Sequence, residues 1–286
     1  RVLIMNPIAT RHASGQKEQE LIPDKALIMS GYGINSEMET REVLLRAGMD
    51  ADIIHINDLI DRKYRMCDYR LLVFPGGFSY GDDTGAGNAY ANRVRNNLWN
   101  DVTEFLEEDN LVLGICNGFQ ILANLGLVPA FNKQYKRDIA LMPNRKGVLE
   151  CRYVTIKPAS ETLWTKGIER IVCPVSHGEG NFSCSKEVLT ELRSQKMITF
   201  TYCRENLKPA DGEYPYNPNG SVADIAGITS ADGKVLAMMP HPERAMEFVN
   251  EYDWPLQKER LRRQQQPIPT ESMNMKLFRN IVEYFR

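Results

Sequence analysis

The chain contains the segment LVLGICNGFQ, in which Cys116 stands between an apolar run and a helix-forming run. Leu111–Ile115 has the length and character of a buried strand, and Ile121–Leu125 continues as a helix. Gly114 and Gly118 flank the cysteine at the spacing of a nucleophile elbow, a sharp strand–turn–helix junction that presents a reactive side chain. The positive end of the following helix favours the thiolate form of cysteine. The segment therefore predicts a nucleophilic thiol at the end of a central strand.

A base for this thiol is found far downstream, in the sequence PHPE that carries His241 and Glu243. It follows Val235–Met239, an apolar run that we expect to form a buried strand. Pro242 favours an extended backbone at His241, and side chains two residues apart in an extended segment point the same way. One imidazole nitrogen can then bind the carboxylate while the other faces Cys116, as in a catalytic triad. The alternative is an inert core cysteine and an ordinary loop histidine, and the two motifs together favour the triad.

Strand and helix patterns alternate along the chain, which predicts an α/β fold: a three-layer sandwich with a central, mostly parallel sheet. Shorter, more antiparallel strands are expected between residues 140 and 202, and Asp232-Gly233 predicts a hairpin turn. A capping box at Ser36–Glu39 predicts the start of a helix that ends at Gly48. The other predicted elements are strands at Ala26–Ser30, Ala51–Ile56, Tyr69–Phe74, Leu111–Ile115, Ile225–Thr229 and Val235–Met239, and helices at Asn88–Glu108 and Leu277–Phe285.

Charge and composition narrow the function classes. The 35 Lys and Arg residues nearly balance the 37 Asp and Glu residues, so the charge indicates neither a nucleic acid nor a membrane surface as partner. No apolar run approaches the roughly 20 residues that span a membrane. The six cysteines form no C-x-x-C pair and no disulfide framework, which favours a reducing, cytoplasmic location. The four histidines do not cluster with cysteines, so we expect no metal site.

Three further motifs accompany the nucleophile and PHPE segments: PGGFSYGD at 75–82, SHGEG at 176–180 and NPNGS at 217–221. Together the five collinear motifs resemble those of the class I (triad) glutamine amidotransferases, a family with a flavodoxin-like fold. The resemblance runs from about Ala26 to Ala245 and returns in the C-terminal helix. Within the family the motifs are most similar to the glutaminase subunits of phosphoribosylformylglycinamidine synthases, in which Asn follows the nucleophile, as Asn117 does here. The run after Gly81 departs from the commoner form, so no detailed role is assigned to Asp82 or Asp83.

The resemblance implies that the triad hydrolyses L-glutamine to L-glutamate and ammonia. It also implies that Gln120, His177 and Glu179 line the glutamine pocket. We expect the backbone N–H groups of Gly77 and Asn117 to form the oxyanion hole. From the glycines alone, an ordinary strand-to-loop turn would be the preferred interpretation at Gly77, and the resemblance reverses that preference.

The resemblance further implies a protein partner. In the subfamily, ammonia passes to a separate ATP-dependent synthetase that makes formylglycinamidine ribonucleotide in purine biosynthesis. This sequence contains no P-loop, so ATP and Mg²⁺ are expected on the synthetase and no cofactor on this chain. Whether a small third subunit joins the complex stays open.

The sequence also suggests how the chain is divided. Residues 1–23 are interpreted as an N-terminal extension and residues 24–286 as the amidotransferase domain, with 247–272 as an insertion before the last helix. Residues 204–219, rich in proline and glycine, predict a long loop. The charged run Lys258–Gln266 predicts a helix with a solvated face.

Two other functions remain possible at this point. The first is a different triad amidotransferase or a gamma-glutamyl hydrolase, against which Asn117 and the SHGEG motif argue. The second, from another class, is a non-catalytic subunit that only activates a synthetase. The intact Cys116, His241 and Glu243 argue against it.

Overall fold

The structure, a computed structural model, describes residues 24–286, and the predicted N-terminal extension at residues 1–23 lies outside them. Within the described part, eleven strands and eight α-helices form. The strands are β1 Lys25–Ser30, β2 Asp50–His55, β3 Leu71–Phe74, β4 Leu111–Ile115, β5 Ile139–Met142, β6 Glu150–Pro158, β7 Ile171–His177, β8 Asn181–Cys184, β9 Ile198–Cys203, β10 Ile225–Thr229 and β11 Val235–Met238. The helices are α1 Glu37–Ala47, α2 Ile56–Ile60, α3 Asn88–Asn97, α4 Trp99–Glu107, α5 Asn117–Leu125, α6 Lys186–Ser194, α7 Trp254–Arg263 and α8 Asn274–Phe285.

Nine of these strands form one sheet, in the order β2-β1-β3-β4-β11-β10-β9-β6-β7, while β5 and β8 pair separately. The first five in that order are parallel to one another. The other four continue by antiparallel pairing, which returns β9 and β7 to the direction of the first five. Seven of the nine strands therefore run the same way, and the predicted α/β fold with a mostly parallel sheet is confirmed. The Asp232-Gly233 turn joins β10 to β11, as predicted.

The carboxyl ends of β3, β4 and β11 lie side by side in the sheet. Phe74 is in register with Gly114, and Ile115 with Met238. The loop after β3, the turn after β4 and the PHPE segment after β11 therefore begin at one edge of the sheet. Ligands of parallel α/β proteins commonly bind at this edge, outside the carboxyl ends of the strands.

Two helix predictions were wrong in detail. Ser36 does not cap α1, because its hydroxyl accepts a hydrogen bond from Arg244 instead of one from the first helical turn. The predicted end of α1 at Gly48 is confirmed, with φ 97° in the left-handed region. The single helix expected from Asn88 to Glu108 is two helices, since Leu98 leaves helical geometry (φ −128°, ψ 10°) and is buried between them.

Other parts of the chain follow the sequence patterns. The residues from 204 to 219 form an irregular loop, and the closing helix α8 begins at Asn274. The charged segment Lys258–Gln266 is helical up to Arg263, as the second part of α7, and no residue of α7 is buried. Among residues 24–286, no helix combines the length and the apolar character needed to cross a lipid bilayer. The six cysteines, all within this part, are free.

Gly118 allows the closest approach of α5 to the sheet, and Gly118→Ala is expected to destabilise the fold. A Cβ at this position would lie 1.8 Å from the carbonyl oxygen of Phe74, so α5 would have to move away from β3. We expect the free energy of unfolding, measured by urea denaturation, to fall by about 3 kcal/mol.

Gly178→Ala is the matched control for this substitution. A Cβ there meets no atom within 4 Å, so its effect should stay below about 0.5 kcal/mol. A Gly118→Ala protein as stable as the control would contradict this packing.

Candidate active site

Cys116 lies on a strained turn between β4 and α5. Its backbone has φ 53° and ψ −108°, a conformation that costs a non-glycine residue on the order of 1–3 kcal/mol. The turn is held by the Cys116 N–H, which donates to the carbonyl of Met238 at 2.8 Å. The thiol is only 3% exposed, and its Sγ donates to the carbonyl of Ser176 at 3.5 Å. The thiol thus sits at the N-terminus of α5, where unpaired N–H groups and the helix dipole favour a negative charge.

His241 and Glu243 are buried beside this thiol. Their side chains are joined by a 2.6 Å hydrogen bond between Nδ1 and Oε1, which fixes the orientation of the imidazole. Burial by itself lowers the pKa of His241, but the negative charges of Glu243 and of a Cys116 thiolate outweigh burial and raise it above its ordinary value. Nε2 is buried and makes no hydrogen bond of good geometry to the described residues, as is common before substrate binds. The structure therefore brings the three predicted triad residues together.

The outer edge of β7 supports the triad through its carbonyl groups. The carbonyl of Pro174 accepts the N–H of His241 at 2.9 Å, and that of Ser176 accepts the thiol hydrogen bond. The carbonyl of Val172 accepts Nδ2 of Asn274 at 3.0 Å. These three strand residues alternate along β7, so their backbone groups face the same edge. One strand thus positions both the thiol and the imidazole.

The loop after β3 brings two further backbone groups to the site. Gly76 lies against the imidazole, because a Cβ there would stand 2.5 Å from Cε1 of His241. The N–H groups of Gly77 and Asn117 donate to no other residue in the described part of the chain. Both predicted oxyanion donors are therefore free to bind a ligand.

A groove of about 410 Å³ reaches Gln120, one helical turn after Cys116, and Glu179 also lines it. Nε2 of Gln120 donates to the backbone carbonyl of Glu179 at 2.6 Å, and its Oε1 accepts Nδ2 of Asn117 at 2.7 Å. The carboxylate of Glu179 accepts the N–H of Ala86 at 3.0 Å. Two of the three predicted substrate-binding residues therefore line one groove, which reaches the first turn of α5 after Cys116.

Comparison with known proteins decides the family. A family model for a CobB/CobQ-like glutamine amidotransferase domain matches residues 23–285. The phosphoribosylformylglycinamidine synthase subunit PurQ of Methanococcus maripaludis is 49% identical over 264 residues, covering 91% of this chain and 97% of that protein. PurQ of Dehalococcoides mccartyi is 37% identical, covering 92% and 98% respectively. The chain belongs to the PurQ family of glutamine amidotransferases.

A solved structure agrees with this assignment to the PurQ family. The structure of PurLQS from Thermotoga maritima contains a chain that matches with a TM-score of 0.68 and 25% sequence identity, covering 92% of this chain and all of that one. The family and the fold predicted from the five motifs are thus confirmed.

The third predicted pocket residue of this PurQ-family site, His177, does not line the groove. Its ring is 1% exposed, with Nδ1 bonded to Oδ1 of Asn144 at 3.0 Å. It also packs against Gly180, where a Cβ would lie 2.4 Å from the ring. Burial, together with the positive charge of His241, lowers the pKa of His177 to about 4, so it is neutral at pH 7. The buried ring of His177 thus packs against the end of its own SHGEG motif and helps to order the segment that carries Glu179.

Sequence reasoning missed two buried asparagines that support the site. Asn144 donates from Nδ2 to the carbonyl of His177 at 2.7 Å and accepts the N–H of Gly180 at 3.1 Å. Asn274 donates from Nδ2 to the carbonyl of Ala245 at 2.7 Å, which ties the PHPE segment to β7. Neither lies in a recognisable motif. The only local signal is at Asn274, one of two asparagines on the mostly apolar buried face of α8.

Asp82, at the mouth of the site, carries a perturbed carboxyl group. Burial raises its pKa to about 6, with a smaller contribution from the negative charge of Glu179. Its side chain lies 3.5 Å from Nδ2 of Asn117, and its backbone has φ 56°. The folded protein therefore holds the Asp82 proton more tightly than the unfolded chain does.

Asp82→Asn is expected to stabilise the protein at pH 8 and to leave its stability unchanged at pH 4. Between the ordinary pKa of 3.8 and the folded value of about 6, the folded state binds more protons, so the stability of the natural protein falls as pH rises. The variant has no carboxyl group at this position, so it does not lose stability in this way as the pH rises. The check is the Tm difference between variant and natural protein at the two pH values.

Asp83→Asn, at the exposed neighbouring position, is the control for this pH dependence. The change in Tm difference between the two pH values should be larger for Asp82→Asn than for this control. An Asp82→Asn protein whose Tm difference is no larger at pH 8 than at pH 4 would show that the carboxyl is not destabilising when ionised.

Proposed function

We propose that this chain is the glutaminase subunit of a phosphoribosylformylglycinamidine synthase. It hydrolyses L-glutamine to L-glutamate and ammonia, and the ammonia passes to an ATP-dependent synthetase that makes formylglycinamidine ribonucleotide. The observation that carries the proposal is the buried His241–Glu243 pair beside Cys116 on its strained turn, in a chain of the PurQ family. A thiol needs such a base to act as a nucleophile near neutral pH.

The first step is activation of the thiol. His241 takes the proton of Cys116 on Nε2 and holds the thiolate as an ion pair, since Glu243 stabilises the imidazolium through Nδ1. The raised pKa of His241 favours this charged pair. The thiolate then attacks the side-chain amide carbon of glutamine.

The second step is collapse of the tetrahedral intermediate. Its oxyanion binds the N–H groups of Gly77 and Asn117, which have no other partner among the described residues. His241 returns its proton to the leaving nitrogen, and ammonia departs. Water, deprotonated by the same imidazole, then attacks the thioester, releasing glutamate and regenerating the thiol.

The partner is inferred from the relatives. The relative from Thermotoga maritima is solved as PurLQS, which supports assembly of this chain with counterparts of PurL and PurS. We place the docking face near Ser79–Asp83 and His177–Gly180, because Thr84 and Glu179, next to or within these segments, line the groove. ATP and Mg²⁺ are assigned to the synthetase. Six free cysteines fit a reducing, cytoplasmic location.

Cys116→Ala is expected to abolish glutamine-dependent synthesis in the reconstituted complex and to leave ammonia-dependent synthesis intact, because only ammonia production uses the thiolate. Glu243→Gln should reduce glutamine turnover less, since it removes only orientation and stabilisation of the imidazolium. Both variants are assayed by the rate of product formation, once with glutamine and once with ammonium salt as the nitrogen donor. A Cys116→Ala complex that still hydrolysed glutamine at the natural rate would refute the nucleophile assignment.

The isolated chain is expected to be a poor glutaminase that the synthetase activates. The thiol is 3% exposed, and Gln120 is bonded to the carbonyl of Glu179, so docking on the SHGEG loop would move the wall of the groove. If docking brings the glutamine amide into line with the N–H of Gly77, activation would be on the order of 10²–10³ in kcat, the usual contribution of one oxyanion donor.

The measurement is steady-state glutamine hydrolysis by the chain alone and with synthetase, nucleotide substrate and ATP. Labelling of Cys116 by a glutamine-analogue electrophile confirms that the lone chain is folded and counts its active sites. Full activity of the lone chain, unchanged by the partner, would contradict the activation and favour a free-standing hydrolase.

A further inference from the structure

The orientation of the Gly76–Gly77 peptide is fixed by the loop that precedes α1. The carbonyl of Gly76 accepts two hydrogen bonds, from the N–H groups of Asn35 and Ser36, each at 3.1 Å. The C=O and N–H of a trans peptide lie in its plane and point in opposite directions. These two bonds therefore also fix the direction of the Gly77 N–H, and rotation of the peptide would break both of them.

Arg244 ties this loop to the turn that carries the base. Its Nη2 donates to the Ser36 hydroxyl at 2.6 Å and to Oδ1 of Asn35 at 3.5 Å. It directly follows Glu243, and its own N–H donates to the carbonyl of His241 at 3.2 Å. The bond to the fully buried Ser36 is charge-assisted, which makes it stronger and more directional than a neutral one.

Steric contact at Gly76 also links the loop before α1 to the imidazole of His241. A Cβ on Gly76 would lie 2.5 Å from Cε1 of His241 and 3.0 Å from the hydroxyl oxygen of Ser36. Gly76 therefore fills the space between the imidazole and the serine. Ser36 is itself anchored, because its carbonyl accepts both the N–H (3.1 Å) and the hydroxyl (2.7 Å) of Thr40. A shift of the loop would change the distance between the base and the peptide of Gly77.

We infer that Ser36 and Arg244 are positioning residues for glutamine hydrolysis: they hold the oxyanion donor of Gly77 in register with the imidazole of His241. The inference rests on the proposed glutaminase function. A simpler interpretation makes Arg244 a surface residue paired with Glu39, whose Oε1 lies 3.7 Å from Nε. Such a partly exposed ion pair contributes little, and it does not account for the buried bond to Ser36.

The experiment uses Arg244→Met, which keeps the apolar stem of the side chain, and Ser36→Ala, together with their double variant. In the complex with synthetase we expect kcat for glutamine to fall by about 10- to 100-fold for each single variant, because a misplaced oxyanion donor weakens transition-state binding. KM should change by less than about twofold. The double variant should be no worse than the more damaged single variant, since both remove the same link. Arg244→Lys, which keeps one donor, should restore part of the rate.

A second readout separates positioning from general damage. Alkylation of Cys116 by iodoacetamide needs the thiolate and its base but forms no tetrahedral oxyanion, so its rate should be unchanged in all these variants. Glu39→Gln is the control for the surface pair and should keep the natural kcat. Active sites are counted by labelling Cys116, so that a poorly folded fraction does not lower the apparent kcat.

The outcomes distinguish the inference from the proposed function. Variants with natural kcat in a complex that hydrolyses glutamine would overturn the positioning role and leave the function standing. Equal losses of kcat and alkylation rate would also overturn it, because they would indicate a disturbed thiol rather than a displaced donor. A natural complex that does not hydrolyse glutamine would refute the proposed function itself, and the inference with it.

Discussion

The contact between Gly118 and the carbonyl oxygen of Phe74 is the constraint on which the site depends. It lets α5 approach β3 more closely than any side chain at that position would allow, and the approach forces the chain through the strained turn at Cys116. Phe74 is also the last residue of β3, directly before the loop that carries Gly76. The same contact therefore sets the distance between the thiol and that loop. The contact that packs α5 against the sheet therefore also determines the geometry of the active site. This is expected where the surrounding structure holds a residue in a strained backbone conformation.

The buried carboxylate of Glu243 decides the electrostatics of the site. It is fully buried, and only one of its oxygens has a hydrogen-bond partner among the described residues, the imidazole of His241. A buried charge with so few partners is costly unless the partner is itself charged. Glu243 thus favours an imidazolium at His241, and an imidazolium favours a thiolate at Cys116. His177 stays neutral, because burial and the positive charge of His241 both lower its pKa.

The sequence predicted what depends on neighbours along the chain. The turn at Cys116 and the spacing of His241 and Glu243 each depend on a short sequence motif, so their local geometry could be predicted from backbone preferences. Strand order could not, because the pairing of β4 with β11 joins segments about 120 residues apart. The chemical need of Cys116 for a base, together with the family resemblance, anticipated only that the ends of these two strands meet. Ser36 was misread for the same reason: its local pattern fits a helix cap, but a guanidinium from residue 244 competes for its hydroxyl. Support from Asn274 could not be foreseen, since its partners lie on distant segments.

The outer edge of β7 has a second consequence, unrelated to glutamine. An edge strand offers a row of unpaired backbone groups to which another chain can add, and such addition begins many aggregates. Here the outward carbonyls of Val172, Pro174 and Ser176 are already occupied, and Pro174 has no N–H to offer. The catalytic segments therefore also terminate the sheet. Loosening of the turn that carries His241 would open a strand edge to neighbouring molecules, so the solubility of the protein depends on the same three carbonyl groups as its chemistry.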